Sequence, residues 1–317
     1  MWWDGDMNPC FSRRSFLQRC SVLGGGVALT GALGRAVEPF RRPGRPRLQL
    51  SLAAYSFRQY FKDGARETDP APASARRIDL FDFIDYCAEQ GCAAAEVTSY
   101  YFPPAVDDDW LLRLRRHAFL RGVALSGTAV GNRFTLPPGP ERDAEIASVK
   151  RWIDRAAVLG VPHVRVFAGN RVQPDTLAES KARVRAALEE CAGHAGRRGV
   201  FLGLENHGGI VAEADDLLDL VRSVRSPWVG INLDTGNFHT ADPYADLARC
   251  APYAVNVQVK AEMQPRGRPR GPAELVRLVR LMREANYQGY VALEYESAED
   301  PWTAVPPLLA RLRELLA

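Results

Sequence analysis

The sequence predicts a single-domain α/β protein, a parallel (β/α)8 barrel preceded by an export leader. Three observations carry this. Short apolar runs alternate eight times with amphipathic helical stretches between residues 48 and 317, which implies parallel strands joined by crossover helices. Glycines 91, 122, 160, 199 and 289 each stand just ahead of a strand, where helix-to-strand turns place them. The Gly-rich nucleotide fingerprint of an open doubly wound sheet is missing after the first strand.

The elements follow in order. LQLSLAAYS (48–56) opens the barrel, and a helix is predicted over 79–90. AAAEVTS (93–99) comes next, then a helix over 108–121 whose start is marked by Asp107 to Asp109 and whose end is Gly122. VALSGTAV (123–130) precedes a helix at 141–159, and HVRVFAG (163–169) one at 175–198. VFLGLENH (200–207) leads to 213–224, VGINLDTG (229–236) to 243–251, AVNVQVKAE (254–262) to 272–286 and YVALEYES (290–297) to 303–316. The stretch from Phe61 to Arg77, rich in Pro and Ala, reads as a loop on the rim. Eight such units in one chain match a closed barrel.

Composition narrows the function. The chain has 317 residues, with 41 Lys and Arg against 38 Asp and Glu. Residues 1–47 hold eight arginines and three acids, so the net charge of +3 comes from that segment and the remainder is slightly acidic. A near-neutral body excludes a nucleic-acid binder, and no run is long enough for a stable membrane span.

Residues 1–36 read as the leader. Ser12–Gln18, SRRSFLQ, precedes a weakly apolar Gly- and Ala-rich run, with a small-residue cleavage site near Ala32 or Ala36. This resembles a twin-arginine signal peptide, with Gln18 in the usual Lys position. The resemblance implies passage through the twin-arginine export machinery to the periplasm. Residues 37–47, including PFRRPGRP, read as a linker, and 48–317 as the barrel. Outside the leader remain Cys87, Cys92, Cys191 and Cys250; none forms a CxxC pair, so free buried thiols are expected.

The chemistry falls at strand ends. Residues at the C-terminal ends of barrel strands face the active-site mouth, and residues of one parity share a face. On the last four strands the polar parity holds Glu205 and His207; Asn232 and Asp234; Asn256, Gln258 and Lys260; and Glu294 and Glu296. The opposite parity is apolar and packs under the helices. Glu205, Asp234 and Glu294 gathered in one mouth require a cation or protons. A divalent ion with all-oxygen ligands, Mn²⁺ or Mg²⁺, answers this.

GLENHGG, INLDTGN, NVQVKAE and VALEYES, in that order, resemble the sugar phosphate isomerase/epimerase group of the xylose-isomerase-like TIM-barrel superfamily. The resemblance spans essentially all of 48–317. It implies a metal held by Glu205, Asp234, the seventh-strand position and Glu294. That seventh-strand position is usually His; here it is Gln258, whose amide oxygen is a donor for a hard ion. Glu205 and Glu294 are then the acid/base pair of a proton transfer through an enediolate, and Lys260 an oxyanion stabiliser or a salt-bridge partner of Glu294 or Glu262. His207, Glu96, Arg165, Asn232 and Glu296 are candidates for contact with a carbohydrate substrate, with a Glu96–Arg165 ion pair as the alternative. Tyr100, Tyr101 and Phe102 stack on a sugar or pack under a loop.

The reading is therefore a metal-dependent isomerase or epimerase of a sugar or keto-sugar. A keto-sugar or keto-cyclitol lyase or dehydratase uses the same site, and a non-enzymatic sugar-binding barrel is the reading that Gln258 keeps open. A three-zinc endonuclease of the same superfamily needs a histidine cluster, which five scattered histidines do not supply.

Overall fold

The computed structural model describes residues 36–63 and 76–317; the leader motif and most of the 61–77 loop lie outside them. The strands are β1 (Arg47–Ala53), β2 (Ala94–Glu96), β3 (Ala124–Ala129), β4 (His163–Val166), β5 (Phe201–Glu205), β6 (Val229–Asp234), β7 (Ala254–Val259), a short pair β8 (Glu262–Met263) and β9 (Gly271–Pro272), and β10 (Gln288–Leu293). Eight close a parallel barrel in the order β1-β10-β7-β6-β5-β4-β3-β2. The seam is the β1–β10 pairing from Arg47↔Gln288 to Leu52↔Leu293. The stretch predicted as one strand over 254–262 ends at Val259, because Glu262 and Met263 leave to pair antiparallel with Pro272 and Gly271.

The helices are α1 (Leu80–Glu89), α2 (Asp108–Leu120), α3 (Pro140–Leu159), α4 (Leu177–Arg198), α5 (Ala214–Ser223), α6 (Pro243–Cys250), α7 (Leu275–Glu284) and α8 (Pro301–Leu316). Each answers a predicted helix to within a few residues. Side-chain caps fix the starts of α1, α4 and α2: reciprocal capping boxes at Asp79/Asp82 and Thr176/Glu179, and Asp107 accepting from the Trp110 amide. Gly160 and Gly199 close α3 and α4 in the left-handed region, at φ 75° and 70°. Gly289 instead lies inside β10.

The apolar parity of the strands packs outward. Leu202, Leu204, Ile231, Leu233, Val257 and Leu293 are buried under the helices. The other parity fills the lumen, and its lower part is aromatic and polar. Ser51 and Ser126 share a hydrogen bond of 2.9 Å. The His163 ring occupies the space that a side chain on Gly127 would need, 2.0 Å from an ideal Cβ there.

The segment expected to be a linker runs across this lower end. Val37 donates to the Val224 carbonyl at 3.1 Å and Phe40 to the Pro252 carbonyl at 2.9 Å. The Phe40 ring meets Phe201 edge-on at 5.8 Å and lies 2.9 Å from an ideal Cβ on Gly230. Arg42 donates to the Ala254 carbonyl and lies over the Phe40 and Tyr287 rings. Among the described residues, Cys87, Cys92, Cys191 and Cys250 are free and buried, and no helix is long and apolar enough to cross a membrane.

Candidate active site

The upper lumen is built in two tiers. The lower tier is a closed network of amides around one carboxyl. Asn256 Nδ2 donates to Glu96 Oε2 at 2.7 Å and Gln258 Nε2 to Glu96 Oε1 at 2.6 Å. Asn232 Nδ2 donates to Gln258 Oε1 at 2.6 Å and its Oδ1 accepts from Asn256 at 2.8 Å. Burial, reinforced by the nearby Glu294, pushes the Glu96 carboxyl up to about 7. Glu96 and Asn232 were expected at the substrate. Both are fully buried with their polar atoms engaged here, so they hold the floor of the site.

The upper tier carries the charges. Arg165 Nε pairs with Glu205 Oε2 at 2.8 Å, so the arginine's ion-pair partner is Glu205 and not Glu96. Arg165 also donates to the Val130 carbonyl and the Tyr100 hydroxyl, and lies 3.9 Å from the Phe167 ring centroid. Glu205 Oε1 accepts from Asn237 Nδ2 at 3.0 Å and lies 2.9 Å from His207 Nδ1. His207, more than half exposed, rests against Phe167 at 4.4 Å and borders the open cleft beside Asn132 and Arg171. His239 bonds the Gln264 carbonyl, and both line the cavity that Lys260 and Glu296 border.

Across the mouth, Lys260 Nζ lies 2.7 Å from Glu294 Oε2 and 3.1 Å from Asp234 Oδ2, and also touches Glu296 Oε2. Glu262 is not its partner. Asp234 is fixed at its backbone by Asn206, which accepts from its amide at 2.9 Å and donates to its carbonyl at 2.8 Å. Its Oδ1 accepts from the Gly236 amide at 2.8 Å. Its Oδ2 is buried without a well-formed hydrogen bond, with the ammonium 3.1 Å away.

The two outer carboxylates therefore sit in opposed fields. Burial alone would raise Glu205, but the Arg165 guanidinium, helped by His207, holds it below the usual carboxylate range. Burial pushes Glu294 above that range, against the pull of Lys260. Asp234 is raised well above it by burial. Such divergence separates a carboxylate that accepts a proton from one that holds one.

Reasoning from sequence missed Asn206 and Asn237, both inside quoted motifs (GLENHGG and INLDTGN), and the Tyr100 contact to Arg165. The neighbouring Tyr101 stacks on Phe61 at 4.1 Å, and Phe102 packs on Trp110 and Trp152, so this pair packs under the loop.

A family model described as xylose isomerase-like TIM barrel matches residues 84–315. The chain belongs to this family. Among curated relatives, the 3-oxo-isoapionate decarboxylase of Pectobacterium atrosepticum is 25% identical over 215 residues, 67% of this chain and 68% of that protein. Among solved structures, the 3-keto-D-glucoside 4-epimerase of E. coli superposes with a TM-score of 0.63 at 17% identity, over 84% of this chain and 100% of that one. A xylose isomerase-like TIM barrel protein from Mycobacterium smegmatis in complex with magnesium gives 0.64 at 19% identity, over 84% and 96%. At these identities the two structures establish the fold.

Proposed function

We propose that the protein is a divalent-metal-dependent isomerase or epimerase of a sugar or keto-sugar, moving a proton on carbon beside a carbonyl. The observation that carries this is the pair Glu205 and Glu294. They are buried on opposite sides of Asp234 at the barrel mouth, Glu205 against the Arg165 guanidinium and Glu294 against the Lys260 ammonium. Glu205, ionised beside Arg165, is the base; Glu294 is the group that returns a proton to the opposite face. Lys260 supports the developing oxyanion of the enediolate, and His207 with Asn237 bonds substrate hydroxyls from the rim.

The donors are all oxygens, the kind a hard cation takes, with the Lys260 ammonium now lying among them. Asp234 Oδ2 is a buried carboxylate oxygen without a well-formed hydrogen bond, 3.1 Å from the Lys260 ammonium. Gln258, in register with Asp234, keeps a second lone pair on its amide oxygen. Glu205, Asp234, Gln258 and Glu294 are the residues that would hold the ion, with Mn²⁺ or Mg²⁺ favoured by oxygen ligands alone. When bound, such an ion polarises the carbonyl of the substrate.

The test is deuterium exchange from solvent into ketoses and 3-keto-sugars, followed by NMR with Mn²⁺ present. Glu205→Gln and Glu294→Gln should each abolish exchange, and full turnover in both would sink the proposal. The decarboxylase relative favours a second reading, loss of CO2 or of a β-substituent through the same enediolate. Release of labelled CO2 from a 3-oxo sugar acid without exchange into ketoses would select it. The proposal includes export through the twin-arginine machinery to the periplasm, carried by Ser12–Gln18. Replacing Arg13 and Arg14 by Lys should retain the protein in the cytoplasm on fractionation.

A further inference from the structure

The carboxylates assigned to the metal already surround a cation. Lys260 Nζ lies 2.7 Å from Glu294 Oε2 and 3.1 Å from Asp234 Oδ2. Among the described residues no three His, Cys, Asp or Glu side chains gather closely enough to chelate an ion as they stand. The lysine stem is held in place. Its backbone amide donates to Thr235 Oγ1 at 2.9 Å, and an ideal Cβ on Gly236 would lie 2.5 Å from Lys260 Cγ, so only glycine lets the stem lie there. The remaining freedom is at the end of the chain.

Two facts decide what that freedom does. Asp234 Oδ1 already accepts from the Gly236 amide, and Oδ2 is the oxygen beside the ammonium, so ammonium and metal would share it. A hard divalent ion binds carboxylate oxygen at about 2.0–2.6 Å, so an ammonium on the same oxygens would sit against it with like charge. The third partner of Lys260 differs from the other two. Glu296 is on the same parity as Glu294 but nearer solvent, with its side chain 33% exposed against 7% for Glu294 and none for Asp234.

We infer that Lys260 is an internal counter-cation that competes with the divalent ion for Asp234 and Glu294, and that Glu296 is the berth that receives its ammonium when the ion binds. This rests on the proposed metal site. The lysine neutralises the inner acids, and metal loading is an exchange in which the ammonium withdraws along its own side chain to a carboxylate it already touches. Glu296 is then a positioning residue, acting on the metal through Lys260.

The experiment is Mn²⁺ titration of the full-length protein, read as free Mn²⁺ by electron paramagnetic resonance. Lys260→Met should tighten Mn²⁺ binding about tenfold, and Glu296→Gln should weaken it about tenfold, each step being about 1.4 kcal/mol. The double variant should match Lys260→Met, because the berth matters only while the lysine is present. Asp234→Asn should abolish binding in both backgrounds. If the wild type binds Mn²⁺ but Lys260→Met and Glu296→Gln both stay within about twofold of it, the competition is refuted while the metal site stands. If neither the wild type nor Lys260→Met binds Mn²⁺, the metal assignment itself fails and this inference with it. Should Lys260→Met not fold, Glu296→Gln, at a partly exposed position, decides alone.

Discussion

Gln258 bridges two neighbours at once, donating to Glu96 Oε1 and accepting from Asn232 Nδ2, each at 2.6 Å. The residue that departs from the family pattern is thus the keystone of the lumen floor as well as a candidate ligand. Gln258→Leu strips one of two amide donors from a buried carboxyl and leaves Asn232 short of an acceptor. Unsatisfied buried groups of this kind cost about 1–3 kcal/mol each. A loss of about 2–4 kcal/mol in urea unfolding is expected, and a change below about 1 kcal/mol would show that the network contributes little.

Arg165 and Glu205 form a buried ion pair whose halves are unequal in their dependence. Arg165 has the Val130 carbonyl, Tyr100 and the Phe167 face besides Glu205, whereas Arg165 is the chief cation holding Glu205 ionised. Arg165→Met should cost about 3–5 kcal/mol by stranding the carboxylate. Adding Glu205→Leu should restore much of that stability without restoring activity. A double variant as unstable as the single would show that the arginine acts by packing instead.

His163 gives the barrel a dependence on acidity. Burial, with Arg165 adding to it, pushes the imidazole down to about 4. The unfolded chain takes up that proton near pH 6.5, so the native state loses stability as pH falls from about 6.5 to about 4 and the loss levels off below. The full effect is about 3 kcal/mol. His163→Gln should flatten this part of the stability profile in chemical denaturation. An unchanged slope between pH 6.5 and 4.5 would place the dependence elsewhere.

Much of this was legible in the sequence. The eight units were, because strand and helix periods differ and glycine and acidic caps mark their borders. So was the convergence of Glu205, Asp234, Gln258, Lys260 and Glu294, because parity on adjacent parallel strands fixes which side chains share the lumen. The choice of partners was not. Whether Arg165 reaches Glu96 or Glu205, and whether Lys260 reaches Glu262 or Glu294, depends on side-chain length and the stagger between strands, including the shift between Ile231 and Asn232 in the β6–β7 pairing. Nor does a run such as PFRRPGRP, rich in Pro and Arg, disclose that Phe40 fits beneath Gly230.

That fit has a measurable worth. A chain beginning at Val37 keeps the contacts of Val37, Phe40 and Arg42 at the lower end of the barrel, and one beginning at Leu48 loses them. Burying a Val or Phe side chain contributes about 1.5–3 kcal/mol, so the shorter chain should be less stable by about 3 kcal/mol or more. Thermal melting of the two proteins side by side checks this, and equal midpoints would contradict it.

The Phe40 ring also bears on which end of the barrel is open. It lies against Phe201 and beneath Gly230, at the end opposite Glu205 and Glu294. With that end occupied by an aromatic ring, substrate and product of the proposed reaction would share the mouth that His207 and Asn237 border, and inhibition by product should be competitive.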